Sequence, residues 1–292
     1  MKIVITGSKG QLGSQLIQII KQGKSELGTI SKAYEQAKVI GIDIDELDIT
    51  NINEVRKFMT LERPDIIINP AAYTNVDACE TEEDTAYKIN AIGARNIAIA
   101  AEEIGAKLMH ISTDYVFEGN GTSPYKEYDR VAPVTVYGKT KLAGEEFVKV
   151  FCKKYFILRT SWLYGYNGHN FVKIILKLAR EKEEIDVVDD QRGNPTNAED
   201  VAHHILKIAL TEEYGLYHCT GIGECSWYDF ATKIVAYAGL PCTVKPTTSD
   251  KFVRPAKRPA FSALDNMMLR LRGEDEMRNW EEALEQYINI IK

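Results

Sequence analysis

The sequence predicts an α/β fold, a Rossmann-type doubly wound parallel sheet with a smaller, interleaved C-terminal lobe. Short runs rich in β-branched residues alternate through the first half with longer stretches whose apolar residues recur every three or four positions. Glycines at three-residue intervals follow the first of these runs directly. This alternation is typical of βαβ units, whose helices cover both faces of a parallel sheet.

Five strands and four helices are predicted in order along the first part of the chain. Each predicted strand is a short apolar run, and each predicted helix has one apolar face that can pack on a sheet. The strands are residues 2–6, 39–43, 65–69, 107–112 and 156–160, and the helices are residues 12–21, 52–61, 85–104 and 136–153.

After residue 160 the alternation loosens. Loops are predicted at 164–170 and 189–197, a basic proline-containing stretch at 245–259, and a last amphipathic helix from Glu274. No stretch reads as a linker. We therefore predict one domain over residues 1–160, with some later elements returning to it, and a smaller lobe built mainly from residues 161–292.

Composition limits the possible partners and compartment. The 292 residues include 36 Lys and Arg against 42 Asp and Glu, and the net charge of −6 is spread along the chain, which disfavours binding to nucleic acid or to an anionic membrane. No apolar run approaches the roughly 18 residues of a membrane span, and no secretory segment follows the first strand. Five scattered cysteines without a C-x-x-C pair favour reduced thiols over disulfides or a zinc site. The sequence thus predicts a cytoplasmic protein.

The glycine turn predicts a dinucleotide site in the first domain. Gly7 permits a tight turn, Gly10 lets the backbone approach a pyrophosphate, and Gly13 allows close packing of helix and strand. The G-x-x-G-x-x-G spacing differs from the commoner G-x-G-x-x-G fingerprint, and glycines needed only for packing are the alternative. Asp43 ends the second strand, where a carboxylate can accept hydrogen bonds from ribose hydroxyls or can simply be solvated.

Tyr137 and Lys141 lie one helical turn apart, so their side chains share a helix face. An ammonium beside a phenol stabilises the phenolate and brings its pKa toward neutrality, which suits proton transfer. Such pairs are also common on helix surfaces. Thr113 strengthens the catalytic interpretation because it ends the preceding strand, at the sheet edge where ligands bind, and can share a substrate oxygen with Tyr137.

These motifs, together with residues 69–72, resemble the extended short-chain dehydrogenase/reductase family. Within it, the runs at 114–117, 137–145, 159–162, 190–196 and 258–260 resemble the dTDP-4-dehydrorhamnose reductase branch over nearly the whole chain. The resemblance implies NAD(P)H-dependent reduction of the C4 ketone of dTDP-6-deoxy-L-lyxo-4-hexulose to dTDP-L-rhamnose. It also implies that the smaller lobe binds substrate.

The resemblance assigns roles to individual residues. Tyr137 would protonate the C4 oxygen, and Lys141 would hold the nicotinamide ribose and lower the Tyr137 pKa. Thr113 and Asp114 would contact the sugar, and Trp162 would cover the sugar or the nucleotide. The other cofactor-binding residues would be Gly7, Gly10, Gln11, Leu12, Gly13, Asp43, Asp48, Ile49, Ala72, Tyr73 and Thr74.

The basic stretch near the C-terminus offers a candidate anion site. Arg258, with Arg254 and Lys257, is suited to a substrate diphosphate, although a solvated basic loop is equally consistent with the sequence. Asn90 resembles a helix asparagine found near the catalytic lysine in the family, or is a helix-bending residue.

Metal binding is not predicted. Some members of the family are thought to bind magnesium through carboxylates of paired subunits, but position 15 is Gln15 here, although Glu199 remains. Losing an anionic oxygen weakens a site for a hard cation. His203 and His204 lack a third ligand at a recognisable spacing, so packing is the better explanation for them.

The expected ligands are a nucleotide sugar and a nicotinamide cofactor, in a possible homodimer. NADH is preferred over NADPH in this prediction, because Asp43 would repel a 2′-phosphate, although Lys9 could swing toward one. The alternatives are a reductase, epimerase or dehydratase for another nucleotide sugar, or a non-catalytic nucleotide-binding regulatory subunit. A dehydratase is disfavoured because Tyr115, not a second acid, follows Asp114.

Overall fold

The computed structural model describes residues 1–291. The strands are β1 (Lys2–Ile5), β2 (Lys24–Ser25), β3 (Gly28–Thr29), β4 (Lys38–Gly41), β5 (Ile66–Asn69), β6 (Lys107–Thr113), β7 (Tyr155–Thr160), β8 (Leu163–Tyr164), β9 (Glu184–Val188), β10 (Arg192–Gly193), β11 (Thr196–Asn197), β12 (Gly215–His218), β13 (Cys225–Ser226) and β14 (Thr243–Thr247). The α-helices are α1 (Gln11–Gln22), α2 (Ile52–Glu62), α3 (Val76–Cys79), α4 (Glu83–Tyr87), α5 (Ala94–Ile104), α6 (Val136–Phe151), α7 (Phe171–Glu181), α8 (Ala198–Ala209), α9 (Trp227–Ala238), α10 (Met267–Leu271) and α11 (Trp280–Ile291).

A six-stranded parallel sheet forms the centre of the fold, in the order β12-β7-β6-β5-β1-β4. The strand order changes direction at β1, which pairs in parallel with β4 on one side and with β5 on the other. The predicted doubly wound sheet is therefore confirmed, with the five predicted strands placed to within two residues. A crevice suited to ligands opens at such a reversal point, at the carboxyl ends of the strands.

Each face of the sheet is covered by helices. On one face, Ile3 and Ile5 of β1 belong to a buried cluster with residues of α1 and α8, such as Leu16. On the other face, Val4 packs with residues of α2, α5 and α6, such as Val148. Burial on both sides explains why the strands read as continuous apolar runs rather than as alternating ones.

The later part of the chain is divided between this sheet and a third cluster. Residues of α7, α9 and α11 bury a separate apolar group that includes Phe230 and Trp280, beside the parallel pair of β9 and β14. In contrast, β12 extends the central sheet and α8 packs on α1. The division into a 1–160 domain and a 161–292 lobe stays a prediction.

Two predicted helices differ from the structure. The predicted 85–104 helix is interrupted by a π-helical segment, Lys88–Gly93, between α4 and α5. The prediction of a last helix from Glu274 was wrong, since α11 begins at Trp280. Just before it, the Arg278 carbonyl accepts a hydrogen bond from the Ile222 amide, and this pairing holds the chain out of a helix.

No helix within residues 1–291 is long and apolar enough to span a bilayer. All five cysteines are buried free thiols.

Candidate active site

A cleft of about 1130 Å³ opens at the carboxyl edge of the sheet. Its lining includes every residue predicted to bind the cofactor, from the glycine turn to Tyr137 and Lys141. Thr113, Asp114 and Trp162 also line it, whereas Arg258 lies outside the lining. The residues predicted to bind the cofactor and those predicted to bind the substrate therefore line one cavity, except for Arg258.

The glycine turn packs too closely for side chains. Gly7 has a φ of 53°, and a Cβ there would lie 3.0 Å from the Ala71 Cα of the neighbouring turn. A Cβ on Gly13 would lie 2.3 Å from the Gly7 carbonyl oxygen. Gly10 caps α1 without a side-chain hydrogen bond, and the first turn of α1 carries no acid. The free N–H groups at this helix start suit the oxygens of a pyrophosphate.

Asp43 lies at the end of the cleft just beyond β4. Its carboxylate accepts hydrogen bonds from the backbone amides of Lys9 and Ile44, at 3.0 and 2.9 Å. The Lys9 ammonium points to other acids, 2.7 Å from Asp45 and 3.4 Å from Glu46. Any anionic group entering this corner meets three carboxylates and one cation already paired with two of them.

The predicted catalytic residues meet where β6 ends against α6. Tyr137 is 9% exposed, and its ring packs edge-on against Tyr115 with centroids 5.5 Å apart. Burial raises the pKa of Tyr137 well above its ordinary value of 10, and a hydrogen bond with the Thr113 hydroxyl works in the opposite direction. At neutral pH the phenol is therefore protonated, as a proton donor has to be.

Lys141 is 2% exposed and donates a 2.6 Å hydrogen bond to the Ile111 carbonyl. Burial lowers the pKa of this ammonium to about 8, and the Glu145 charge raises it. The predicted lowering of the Tyr137 pKa by Lys141 does not appear in this arrangement, because burial of the phenol dominates. The ammonium remains charged at neutral pH and lies on the cleft wall.

Asp114 places a second acidic group beside these hydroxyls. It is 2% exposed, and its Oδ1 accepts a 2.9 Å hydrogen bond from the Thr113 hydroxyl. Within residues 1–291, no well-formed hydrogen bond reaches its buried Oδ2, although the Ser262 hydroxyl lies close enough to the carboxylate to lower the Asp114 pKa. Burial raises the Asp114 pKa to about 6. A buried oxygen without a partner at the cleft wall is suited to a ligand hydroxyl.

Trp162 lines the cleft together with Trp227, a residue that sequence reasoning missed. The two indoles stack with centroids 3.5 Å apart and planes 7° from parallel. Trp162 adopts a φ of 45°, which is uncommon for a bulky residue. Gly193 lies against the indole edge, where a Cβ would be 2.6 Å from the Trp162 Cε2. The only sequence signal for Trp227 is its position directly after Ser226, which caps α9.

Arg258 reaches the cleft indirectly. It pairs with Asp77 at 2.9 Å and donates a 3.0 Å hydrogen bond to the hydroxyl of Tyr115, which lines the cleft. Arg254 pairs with the same carboxylate at 3.1 Å, and Lys257 is exposed. The basic stretch thus packs against α3 through Asp77, at the rim of the cleft.

Asn90 supports the cleft from the π-helical segment. Its Oδ1 accepts a 2.7 Å hydrogen bond from the Tyr73 amide, and its Nδ2 donates to the Tyr73 carbonyl and the Thr140 hydroxyl. The side chain therefore fixes the backbone of Tyr73, which the resemblance assigns to the cofactor.

The four positions considered for metal binding all make hydrogen bonds within the protein. Gln15 donates a hydrogen bond to the Glu199 carboxylate. His203 pairs with the Ser25 hydroxyl at 2.7 Å, and His204 Nε2 accepts from the Glu276 amide at 3.1 Å. Among residues 1–291, no group of three or more His, Cys, Asp and Glu side chains is placed to hold a metal ion.

Comparison with known proteins now identifies the family. The profile of the RmlD substrate binding domain matches residues 1–292. The chain belongs to this family. Among RmlD relatives, the spore coat polysaccharide biosynthesis protein SpsK of Bacillus subtilis is 41% identical over 98% of this chain and 96% of its own. The dTDP-4-dehydrorhamnose reductase of Escherichia coli is 38% identical over 100% of this chain and 98% of its own. The predicted resemblance is thereby confirmed.

Solved structures agree with the RmlD assignment. A dTDP-4-dehydrorhamnose reductase from Clostridium acetobutylicum is 47% identical, with a TM-score of 0.93 and coverage of 100% of this chain and 99% of that one. The Bacillus anthracis reductase, solved in complex with NADP, is also 47% identical, with a TM-score of 0.92 over 99% of both chains. A Thermus thermophilus UDP-glucose 4-epimerase at 18% identity, with a TM-score of 0.83 over 99% of this chain and 98% of that one, shares the fold.

Proposed function

We propose that this protein reduces the C4 ketone of dTDP-6-deoxy-L-lyxo-4-hexulose with a nicotinamide cofactor, giving dTDP-L-rhamnose. The observation that carries the proposal is one cleft that joins a glycine turn to Tyr137, Lys141 and Thr113. Relatives named dTDP-4-dehydrorhamnose reductase, matched along the whole chain, support the choice of sugar.

Each group has one role in this reaction. The cofactor supplies a hydride to C4 when it is bound. Tyr137, whose phenol is protonated at neutral pH, gives a proton to the resulting alkoxide. Thr113 orients the same oxygen through its hydroxyl. Lys141, a cation at neutral pH, donates to the hydroxyls of the nicotinamide ribose.

Three residues bind the substrate in this proposal. Asp114 accepts a hydrogen bond from a sugar hydroxyl through its free Oδ2. Trp162 covers the sugar or the nucleotide with the indole surface left free by Trp227. Arg258 attracts the diphosphate from the rim.

Asp43 sets a preference for NADH over NADPH in this proposal. A 2′-phosphate about 4 Å from this carboxylate is repelled by about 1 kcal/mol in water and by several times that in a partly dry cleft. Because Lys9 is already paired with Asp45 and Glu46, moving it to the phosphate breaks those contacts. Since 1.4 kcal/mol is a factor of ten, we expect about a tenfold or larger advantage in kcat/KM for NADH.

Side-by-side kinetics with the two cofactors test this preference, with Asp43→Ser as the comparison. The serine variant should lose most of the discrimination. The Bacillus anthracis relative was solved with NADP, which makes the comparison informative. Equal efficiency in the wild type, or a preference for NADPH, would show that Asp43 does not face the ribose.

A cofactor-oxidation assay with the purified protein tests the reaction itself. The substrate is dTDP-6-deoxy-L-lyxo-4-hexulose, compared with other nucleotide-linked 4-keto sugars and a control without sugar. We expect sugar-dependent oxidation of NADH and a product with the mobility of dTDP-L-rhamnose. Oxidation with a different keto sugar alone would reassign the substrate, and cofactor binding without turnover would favour a regulatory subunit.

The remaining parts of the proposal concern organisation. We infer a cytoplasmic homodimer in which residues 1–160 bind the cofactor and residues 161–292 mainly bind the sugar. Light scattering of the purified protein tests the dimer. A monomer at micromolar concentration would remove that part of the proposal and leave the reaction unaffected.

A further inference from the structure

A buried ion pair joins α6, the helix that carries Tyr137 and Lys141, to strand β7. Glu145 of α6 is 0% exposed and Arg159 of β7 is 1% exposed. The guanidinium donates from Nε at 2.9 Å and from Nη2 at 2.7 Å, one bond to each carboxylate oxygen of Glu145. The Ser112 hydroxyl adds a third hydrogen bond to the same carboxylate. The Phe117 ring lies 5.1 Å from the guanidinium carbon and helps to fix it.

Lys141 precedes Glu145 by four residues on the same helix. Oppositely charged residues at this spacing share a helix face and can pair, although lysine before glutamate is the weaker of the two orders. Here they are not bonded, because the Lys141 ammonium is held at the Ile111 carbonyl instead. The Glu145 charge still reaches it, since this charge raises the Lys141 pKa against the effect of burial.

Lys141 does not pair with Glu145 because Arg159 already pairs with the Glu145 carboxylate. A two-pronged guanidinium contact is stronger and more directional than a single ammonium contact. Arg159 and Ser112 together donate three hydrogen bonds to the Glu145 carboxylate, so its charge is already paired and Lys141 bonds to the Ile111 carbonyl instead. A buried carboxylate that lost its arginine would recruit another cation, and Lys141 lies one helical turn away.

We propose that Arg159 is a positioning residue for Lys141: by occupying both oxygens of Glu145, it prevents an intrahelical Lys141–Glu145 ion pair and keeps the ammonium on the cleft wall. The inference rests on the proposed role of Lys141 in holding the cofactor ribose. Arg159 itself lies outside the cleft lining and need not touch either ligand.

Two single variants of the same pair separate this role from a structural one. Arg159→Gln and Glu145→Gln each break the pair and each leave one buried charge alone, so a purely structural role predicts similar damage from both. Positioning predicts unequal effects. In Arg159→Gln the free carboxylate captures Lys141, whereas in Glu145→Gln nothing remains to capture it.

The readout is the dissociation constant of NADH, measured by fluorescence without sugar at pH 6, where Lys141 stays protonated. We expect Arg159→Gln to weaken NADH binding by about tenfold or more, the worth of one charged hydrogen bond. Glu145→Gln should stay within about threefold of the wild type. Thermal unfolding by circular dichroism gives the folded fraction used to correct both values.

A double variant and a surface control complete the test. Arg159→Gln combined with Glu145→Gln should recover NADH affinity, because the capturing carboxylate is gone. Arg56 and Glu103 form a comparable forked pair on the surface, at 2.6 to 3.1 Å. Arg56→Gln should therefore leave NADH binding unchanged.

Equal losses in the two single variants, or wild-type affinity in Arg159→Gln, would overturn the proposal. If Arg159→Gln does not fold, Arg159→Lys replaces it. Its single ammonium leaves one Glu145 oxygen free, and affinity between the wild type and a Lys141→Met variant is then expected; wild-type affinity would refute the idea. Because the titrations contain no sugar, a wrong substrate assignment would leave this pattern intact, and only turnover would fail.

Discussion

Gly193→Ala offers a direct test of the tryptophan wall. The added methyl would lie 2.6 Å from the Trp162 Cε2 and 2.7 Å from its Nε1, where an ordinary carbon contact needs about 3.5 to 4.0 Å. The indole must therefore move by about 1 Å across the face of Trp227. A displaced ring keeps only part of its contact, so we expect KM for the nucleotide sugar to rise by no more than the roughly two- to tenfold expected from losing the aromatic contact.

The assay is steady-state kinetics with the sugar varied, repeated in a Trp162→Ala background. Trp162→Ala alone should raise KM by about two- to tenfold, since an aromatic contact contributes about 0.5 to 1.5 kcal/mol. Gly193→Ala should then add less than about twofold, because the ring that it displaces is gone. NADH affinity should be unchanged throughout. Equal effects of Gly193→Ala in both backgrounds, or an unchanged KM, would refute the reasoning.

Three further predictions concern single groups. Tyr137→Phe should lower kcat by about 10² to 10⁴ with NADH affinity nearly unchanged, and near-normal turnover would exclude Tyr137 as the proton donor. Lys141→Met should weaken both turnover and NADH binding; loss of turnover alone would contradict the ribose contact. Burial raises the Glu199 pKa from 4.5 to about 7, so the folded protein binds the carboxyl proton more tightly than the unfolded chain does. The free energy of unfolding therefore falls as the pH rises from about 4.5 to 7. Glu199→Gln should therefore gain up to about 3 kcal/mol relative to the wild type between pH 4.5 and 8 in urea unfolding, and a pH-independent difference would contradict the shift.

Most of the central sheet was predictable because its strands are buried on both faces. Continuous apolar runs such as residues 66–68 have one plausible place, inside a parallel sheet. The sixth strand, Gly215–His218, was missed because it is short and its pairing with β7 joins residues far apart in the chain. The π-helical segment was equally invisible, since it accompanies a contact between Asn90 and Tyr73 across two elements.

The candidate site was predictable where residue position alone determines placement. Thr113 ends β6 and Tyr137 lies in the first turn of α6, so topology brings both to the same edge of the sheet. Topology does not determine what each side chain contacts. Whether Lys141 bonds to the Ile111 carbonyl depends on whether the Glu145 carboxylate is already paired with Arg159. The stacking of Trp227 on Trp162 depends on how the later helices pack.

Strand β12 is the last of the six central strands to be synthesised, and this order affects folding during synthesis. When only residues 1–160 have left the ribosome, β7 is an open sheet edge with unpaired backbone groups, a template for unwanted strand pairing. The apolar face of α1 is also uncovered until α8 appears. The central sheet is therefore complete only once residue 218 has been synthesised, and a chaperone that shields the nascent chain until then should raise the yield of active protein.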